Sequence, residues 1–327
     1  MQYILARVRL TSEAFAAGHV IREPVGFQNG YWAGAPGAFY AVDERAWYLT
    51  YRLRRPRGVP PDRGGEARIA RSSDLEKWQD VWSVTKDQFG SASIERCALR
   101  KGADGIWRYF ASYVDPADGR WCVSVLKAGR PPDLDPAKAT PLFKAPPLGL
   151  EGVKDPWIVE DRGAFHMFLS VAVPTPRTSG QSHATLDIFN TGECISATAL
   201  ATSADLDAWQ WQGVVFAPGA SGWDRYCRRL NRVLAVGGKF LGFYDGSAGH
   251  EQNYEEKTGL ATSEDLRHWQ CLTVEAPRLT SPHGSGSLRY MDAQFQGQEA
   301  CLFYEFARPD GSHDLRLSRV NLELLRS

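Results

Sequence analysis

Neither sign of charge prevails in this chain: 38 Lys and Arg stand against 38 Asp and Glu among 327 residues. That balance excludes a basic nucleic-acid surface, a polybasic membrane anchor and an acidic tail. No stretch approaches the roughly 18 consecutive apolar residues of a membrane span. The opening MQYILARVRLTSEAF has no basic region leading into an apolar run, as an export signal would. The expectation is a soluble, cytoplasmic protein that engages neither nucleic acid nor membrane. The six cysteines, Cys97, Cys122, Cys194, Cys227, Cys271 and Cys301, form no C-x-x-C pair. They read as free buried thiols rather than disulfides or zinc ligands. A phosphate-binding loop, a dinucleotide fingerprint, His-Glu-x-x-His and a nucleophile elbow are all missing, and the seven histidines are scattered. No metal ligands are assigned and no cofactor is called for.

What is there is a repeat. Ser72-Ser73-Asp74-Leu75-Glu76-Lys77-Trp78, Thr202-Ser203-Ala204-Asp205-Leu206-Asp207-Ala208-Trp209 and Thr262-Ser263-Glu264-Asp265-Leu266-Arg267-His268-Trp269 share one pattern. Each reads as a strand end, an Asp-Leu turn and a Trp that opens the next strand. The spacing places weaker copies at Asp133-Leu134 and Asn321-Leu322. Repetition at a fixed period marks a repeat architecture and outranks local propensity. Within a period, short β-branched and aromatic runs alternate with Gly, Asp and Pro turns, as in Asp155–Val159, Ala164–Ser170, Ser196–Thr202 and Trp209–Phe216. These are meander strands.

The whole chain, 1–327, therefore reads as one all-β domain, a five-bladed β-propeller of four-stranded antiparallel blades, at approximately 27–85, 88–145, 150–218, 221–277 and 282–322. Blade 5 offers three strands, and the N-terminal strand over residues 2–10 is expected to close the ring as its outer strand. Trp78, Trp209 and Trp269 are expected to pack between blades.

The Asp-Leu-x-x-Trp elements, with Gly152-Val153-Lys154-Asp155-Pro156 opening an inner strand, resemble the five-bladed propeller glycosidases. That group includes the family-43 arabinanases and β-xylosidases, the invertase-like enzymes and the mannoside phosphorylases. The resemblance covers nearly the whole chain at the level of fold. It implies a funnel lined by inner-strand starts and by the loops between second and third strands. It also admits a structural calcium ion on the axis, which no residue pattern here assigns. The arabinanase-like members carry an Asp base on blade 1 and a Glu acid on blade 4. At those registers this chain holds Ala35 and Asn231, so only Asp155 maps onto a family carboxylate.

Aligning the inner strands sets Asp155 level with Glu95, Asn231, Arg289 and Ala35. Glu95 and Asp155 form the leading carboxylate pair, because glycoside cleavage needs one protonated acid and one ionised carboxylate. Asp245, at the end of a second strand, is the third candidate, and Glu255 and Glu305 are further loop and strand-end acids. Trp32, Trp157 and Tyr244 are placed in the pocket to stack on a sugar ring. Arg96, Asn231, Arg232, Arg289 and Lys154 would orient hydroxyls or an anionic group such as a uronate or phosphate. The expected function is glycoside hydrolysis on a carbohydrate substrate. Phosphorolysis and a non-catalytic propeller that binds glycan or protein remain open.

Overall fold

The computed structural model describes residues 11–296 and 299–321. After a short helix, Ser12–Ala16, and strand β1 (His19–Arg22), strands follow in meanders of four. Blade 1 holds β2 (Trp32–Ala41), β3 (Ala46–Arg55), β4 (Arg63–Ser72) and β5 (Gln79–Thr85). Blade 2 holds β6 (Ala98–Lys101), β7 (Trp107–Val114), β8 (Trp121–Ala128) and β9 (Thr140–Phe143). Blade 3 holds β10 (Gly152–Asp161), β11 (Ala164–Pro174), β12 (Cys194–Ser203) and β13 (Gln210–Phe216). Blade 4 holds β14 (Cys227–Val236), β15 (Lys239–Ser247), β16 (Lys257–Ser263) and β17 (Trp269–Cys271). Blade 5 holds β18 (Leu288–Gln296), β19 (Glu299–Ala307) and β20 (His313–Asn321), with β1 antiparallel at its outer edge.

Neighbouring blades are tied where a third strand meets the next inner strand: Ser196 pairs with Cys227, Lys257 with Leu288, and His313 with Trp32. The last of these joins blade 5 to blade 1. Blade 2 is held between its neighbours by the Thr50 hydroxyl, which donates to the Cys97 carbonyl at 2.7 Å, and by the Asp155 N–H on the Ser112 hydroxyl at 3.2 Å.

The repeat motif is a self-contained turn. In all three strong copies the Ser hydroxyl accepts the Leu N–H, and the Asp carboxylate accepts the N–H groups two and three residues on. The Leu itself sits in the left-handed region, with φ of 67, 68 and 66° at Leu75, Leu206 and Leu266, and its side chain is buried. A non-glycine residue there is uncommon, and the side-chain bonds on both sides hold it in place. The Trp indole N–H returns to the Leu carbonyl, and the ring reaches the preceding blade: Trp78 edges onto Phe303, Trp209 onto Phe110 and Trp269 onto Phe168. Leu134 is buried at the corresponding place in blade 2, but its φ is −64° and the turn is a 3-10 turn over Pro131–Asp133. That copy keeps the position and loses the backbone shape. Asn321 ends β20 and Leu322 lies outside the described residues.

The expected strand over residues 2–10 also lies outside the described residues. Among those described, the N-terminal segment does complete blade 5: β1 pairs along Leu315–Leu317, and Phe15 packs into the core under Tyr304. All six cysteines are free, five of them buried.

Candidate active site

The inner strands start at one end of the axis, and four of the five carry a β-bulge there. Lys154 pairs with Ser170 and Trp157 with Phe168, leaving Asp155 and Pro156 opposite one residue. The same two-against-one step lies between Gly34 and Gly37, and between Arg289 and Asp292. Ala35, Asp155 and Tyr290 take left-handed φ values of 53, 54 and 53° at the bulge. In blade 4 Arg229 pairs with Asp245 and Arg232 with Phe243, and in blade 2 the Glu95 N–H donates to the Ser112 carbonyl.

These pairings correct the expected register. Glu95 is level with Lys154, Arg229, Arg289 and Gly34, whereas Asp155 is level with Arg96, Leu230, Tyr290 and Ala35. Counting 60 residues back from Asp155 slips by one, because the blades are not of equal length and the bulge breaks the strict alternation. A slip of one moves a side chain to the other face. The second strands supply a matching row: Arg52 opposite Gly34, Asp245 opposite Arg229 and Glu305 opposite Arg289.

Together these rows form one buried charge network. Arg52 Nε donates to Glu95 at 2.6 Å, and Arg289 to Glu305 at 2.9 and 2.6 Å and to Glu256 at 2.7 Å. Arg229 donates to the other oxygen of Glu256 and, at 2.9 Å, to Asn253. Asp155 stands 3.6 Å from Lys154 Nζ and 3.8 Å from Arg229. Glu305 also accepts the Ala35 N–H at 3.1 Å and meets His313 at 2.8 Å. Gly34 is required for this: a Cβ there would fall 1.9 Å from the Glu305 carboxylate.

Tyr290 links the three candidate carboxylates. Its hydroxyl lies 3.3 Å from Glu95 and 3.5 Å from Asp155, and its N–H donates to Asp245 at 3.0 and 3.3 Å. Their acidities diverge. Burial opposes ionisation of Glu95, but the charges of Arg52, Lys154 and Arg289 outweigh it and hold the carboxyl at about 2. Glu256 is likewise held at about 2 by Arg229 and Arg289 against its burial, and Glu305 lies well below the usual range. Asp245 goes the other way, since burial and then the Glu256 charge push it up to about 7.

A roof covers this network. Asp187, from the long blade 3 loop, accepts the Trp121 indole N–H at 3.0 Å, bonds the Tyr254 hydroxyl and stands 3.7 Å from Arg63. Asn190 from the same loop bonds Asn253 and Tyr254 of blade 4. Trp32 stacks on His313 at 4.7 Å, and Arg54 lies over Trp32 and Tyr254 at 4.3 and 4.5 Å. Glu95, Asp155, Asp245, Arg289 and Glu305 are each no more than 2% exposed. Beneath the roof both terminal nitrogens of Arg52 and the indole nitrogen of Trp32 are buried without a hydrogen-bond partner.

Of the residues expected here, the fold brings together Glu95, Asp155, Asp245, Lys154, Arg289 and Glu305, with Trp32 and Glu255 at the edge, where Glu255 meets His313 at 3.1 Å. It does not bring Trp157 or Tyr244. Trp157 stacks on Phe168 at 4.7 Å and donates to the Leu230 carbonyl, and the Tyr244 hydroxyl donates to Asp224 between blades. Both are core: Tyr244 alternates with Asp245 along β15 and so takes the opposite face, and Trp157 leaves the bulge on the side that packs against Phe168. Arg96, Asn231 and Arg232 lie further along the axis. Arg96 donates to the carbonyls of Pro36 and Asn231, and both Arg96 and Arg232 stand 3.5 Å from Asp292. The Arg96 N–H reaches the site, on Asp155 at 3.2 Å, and the Asn231 side chain reaches Asp245, where it works against the effect of burial. Axial positions filled by two guanidinium groups do not fit a calcium ion, which takes six to eight oxygen ligands.

Arg52, Arg54, Glu256 and Tyr290 were not among the expected site residues. A signal exists for the first two: Tyr51-Arg52-Leu53-Arg54 puts charge at alternate positions of an otherwise apolar strand, at the strand end equivalent to Asp245 and Glu305. An unpaired charge in such a run is costly unless it has a polar task.

No protein-family model and no curated protein sequence matches the chain at a significant level. Solved structures do match along nearly its full length. A thermostable family-43 glycoside hydrolase aligns over 92% of this chain and 91% of its own, at TM-score 0.62 and 12% identity. The endo-arabinase of Bacteroides thetaiotaomicron VPI-5482 aligns over 90% and 97%, at TM-score 0.57 and 14% identity. The β-1,2-mannobiose phosphorylase of Listeria innocua, in complex with β-1,2-mannobiose, aligns over 94% and 93%, at TM-score 0.61 and 11% identity. The chain thus shares the five-bladed propeller fold of glycoside hydrolases and of a glycoside phosphorylase.

Proposed function

We propose that the protein cleaves glycosidic bonds, with Asp245 as the general acid and Glu95 as the ionised partner. One observation carries this reading: Tyr290 joins carboxylates of opposite character, Asp245 raised to about 7 and Glu95 lowered to about 2. That separation lets one group deliver a proton to the leaving oxygen while the other stays charged. At about 2, Glu95 is a weak base. It suits attack on, or electrostatic stabilisation of, an oxocarbenium-like carbon better than proton abstraction from water. Asp155 and Tyr290 position it. The substrate enters when the contacts of Asp187 and Asn190 with Tyr254 and Asn253 open, a lid motion of a familiar kind.

A second reading, phosphorolysis, is favoured by the unpartnered donors of Arg52 and Trp32, which suit an oxyanion beside the acid. The same donors would serve a uronate carboxylate of a hydrolysed substrate. The test is a panel of aryl α- and β-glycosides, including uronides, with wild type and Asp245→Asn, with and without phosphate. The expected result is cleavage without phosphate that falls at least ~100-fold in the variant, with a single alkaline limb near pH 7 in kcat/KM. Cleavage only with phosphate selects the phosphorylase. Silence across the panel in both conditions overturns the enzyme reading and leaves a propeller whose charge network is a structural plug.

A further inference from the structure

The far end of the axis, where the inner strands finish, has a cavity of about 700 Å³. Its walls include Phe39, Ile158, Arg100, Lys101, Arg232 and Gln294. Lys101 is spoken for, with Asp43 and Glu44 at 2.5 and 3.2 Å. The two arginines are not. Arg100 donates to the carbonyls of Leu99 and Ile158, which satisfy its N–H groups but not its charge. The Arg232 side chain makes no hydrogen bond among the described residues, and its Nε is buried without a partner although the side chain is 9% exposed. The acid nearest to it, Asp292, already accepts the N–H groups of Ala38 and Ala293 at 2.7 Å and is shared with Arg96. Asp292 therefore serves both Arg96 and Arg232, and Arg100 has no ion pair among the described residues, only the more distant charges of Asp292 and of Glu160, which is exposed on the rim. Burial lowers the basicity of both Arg232 and Arg100, the latter to about 10 with Arg232 adding to the effect, yet both remain cationic at neutral pH.

We propose that this cavity is a binding site for a small molecule bearing an oxyanion group, phosphate or carboxylate, held by Arg232 and Arg100. Planar guanidinium forks match such groups in pairs, and apolar walls strengthen the attraction. The site is separate from the carboxylate network and does not depend on the reaction proposed for it.

The experiment is a thermal melt of the whole chain with inorganic phosphate, citrate or glucose 6-phosphate, against glucose and chloride at matched ionic strength. A saturable rise of roughly 2–5 °C with at least one of the anions is expected. A response to phosphate itself marks the free ion as sufficient, whereas a response only to citrate or to the sugar phosphate marks a larger ligand. Arg232→Gln and Arg100→Gln should each abolish the rise, and Arg52→Gln should leave it intact. Hydrogen exchange on the wild type covers the case in which a variant fails to fold, with protection expected at residues 39–43 and 100–106. The absence of a saturable rise, or protection confined to 175–193 and 248–256, would overturn the proposal.

Discussion

The two ends of the propeller axis are built by the same five inner strands and treat charge in opposite ways. Where the strands begin, Arg52, Arg229 and Arg289 are matched by Glu95, Glu256 and Glu305 in direct hydrogen bonds. Where they finish, Arg96 and Arg232 share Asp292, and among the described residues Arg100 has no ion pair and the Arg232 side chain makes no hydrogen bond. The fold imposes neither arrangement. At the start, the bulge brings a row from each inner strand beside the row from its second strand, so acids and arginines interleave. Beyond the bulge, the inner strands alone face the axis and no second row supplies acids. The first end is a closed network with one protonated acid set into it. The second keeps an excess of positive charge over an open cavity.

The comparison can be broken by removing one arginine from each end. Arg289→Leu takes one guanidinium from both buried carboxylates, leaving Glu256 to Arg229 and Glu305 to His313 and Arg52, and should cost ~3–5 kcal/mol. Arg232→Leu removes a charge that has no hydrogen bond to lose, and should cost well under half as much. Equal losses in urea unfolding would mean that the two ends do not differ energetically.

Stability against pH sharpens the same contrast. Glu95 and Glu256 are depressed from an ordinary 4.5 to about 2, so their contribution is complete above pH 4.5 and is lost as the pH falls towards 2. Asp245 is raised from 3.8 to about 7, so the folded chain holds a proton that the unfolded chain releases, and stability declines as the pH rises from about 4 through 7. Asp245→Asn removes that decline and keeps an acceptor for the Tyr290 N–H. Melts of variant and wild type should converge below pH 4 and separate above pH 7, with the variant higher. A variant that melts lower at pH 8 would refute the assignment of Asp245 as a neutral buried acid.

The smallest effect comes from Gly34→Ala. The new methyl would displace Glu305 from its place on blade 1, where Arg289 and His313 also hold it, at a cost of ~1–3 kcal/mol. The same change at the exposed residue Gly129, where a Cβ meets nothing and φ is ordinary, gives the effect of losing a glycine without the clash. If the two substitutions cost the same, Glu305 is not seated on Gly34.

The sequence by itself determined the repeat and hence the propeller. The Ser-x-Asp-Leu-x-x-Trp turn is closed by hydrogen bonds within four residues, and its indole must find the neighbouring blade. Such local chemistry is legible wherever it recurs, and it fixed the blades, the inter-blade tryptophans and the placing of Asp155 and Asp245 at strand ends beside the axis. Only the tertiary structure decided which charges meet. The Tyr290 hydroxyl reaches Glu95 from 195 residues away, and Ala35 donates to Glu305 across 270. Whether a residue faces the network, the core or the far cavity turns on a single-residue bulge, which spacing along the chain does not encode. That is why Glu95 and Arg289 belong to the row before Asp155, why Trp157 is core, and why Arg232, expected to hold a sugar at one end of the axis, lines a cavity at the other.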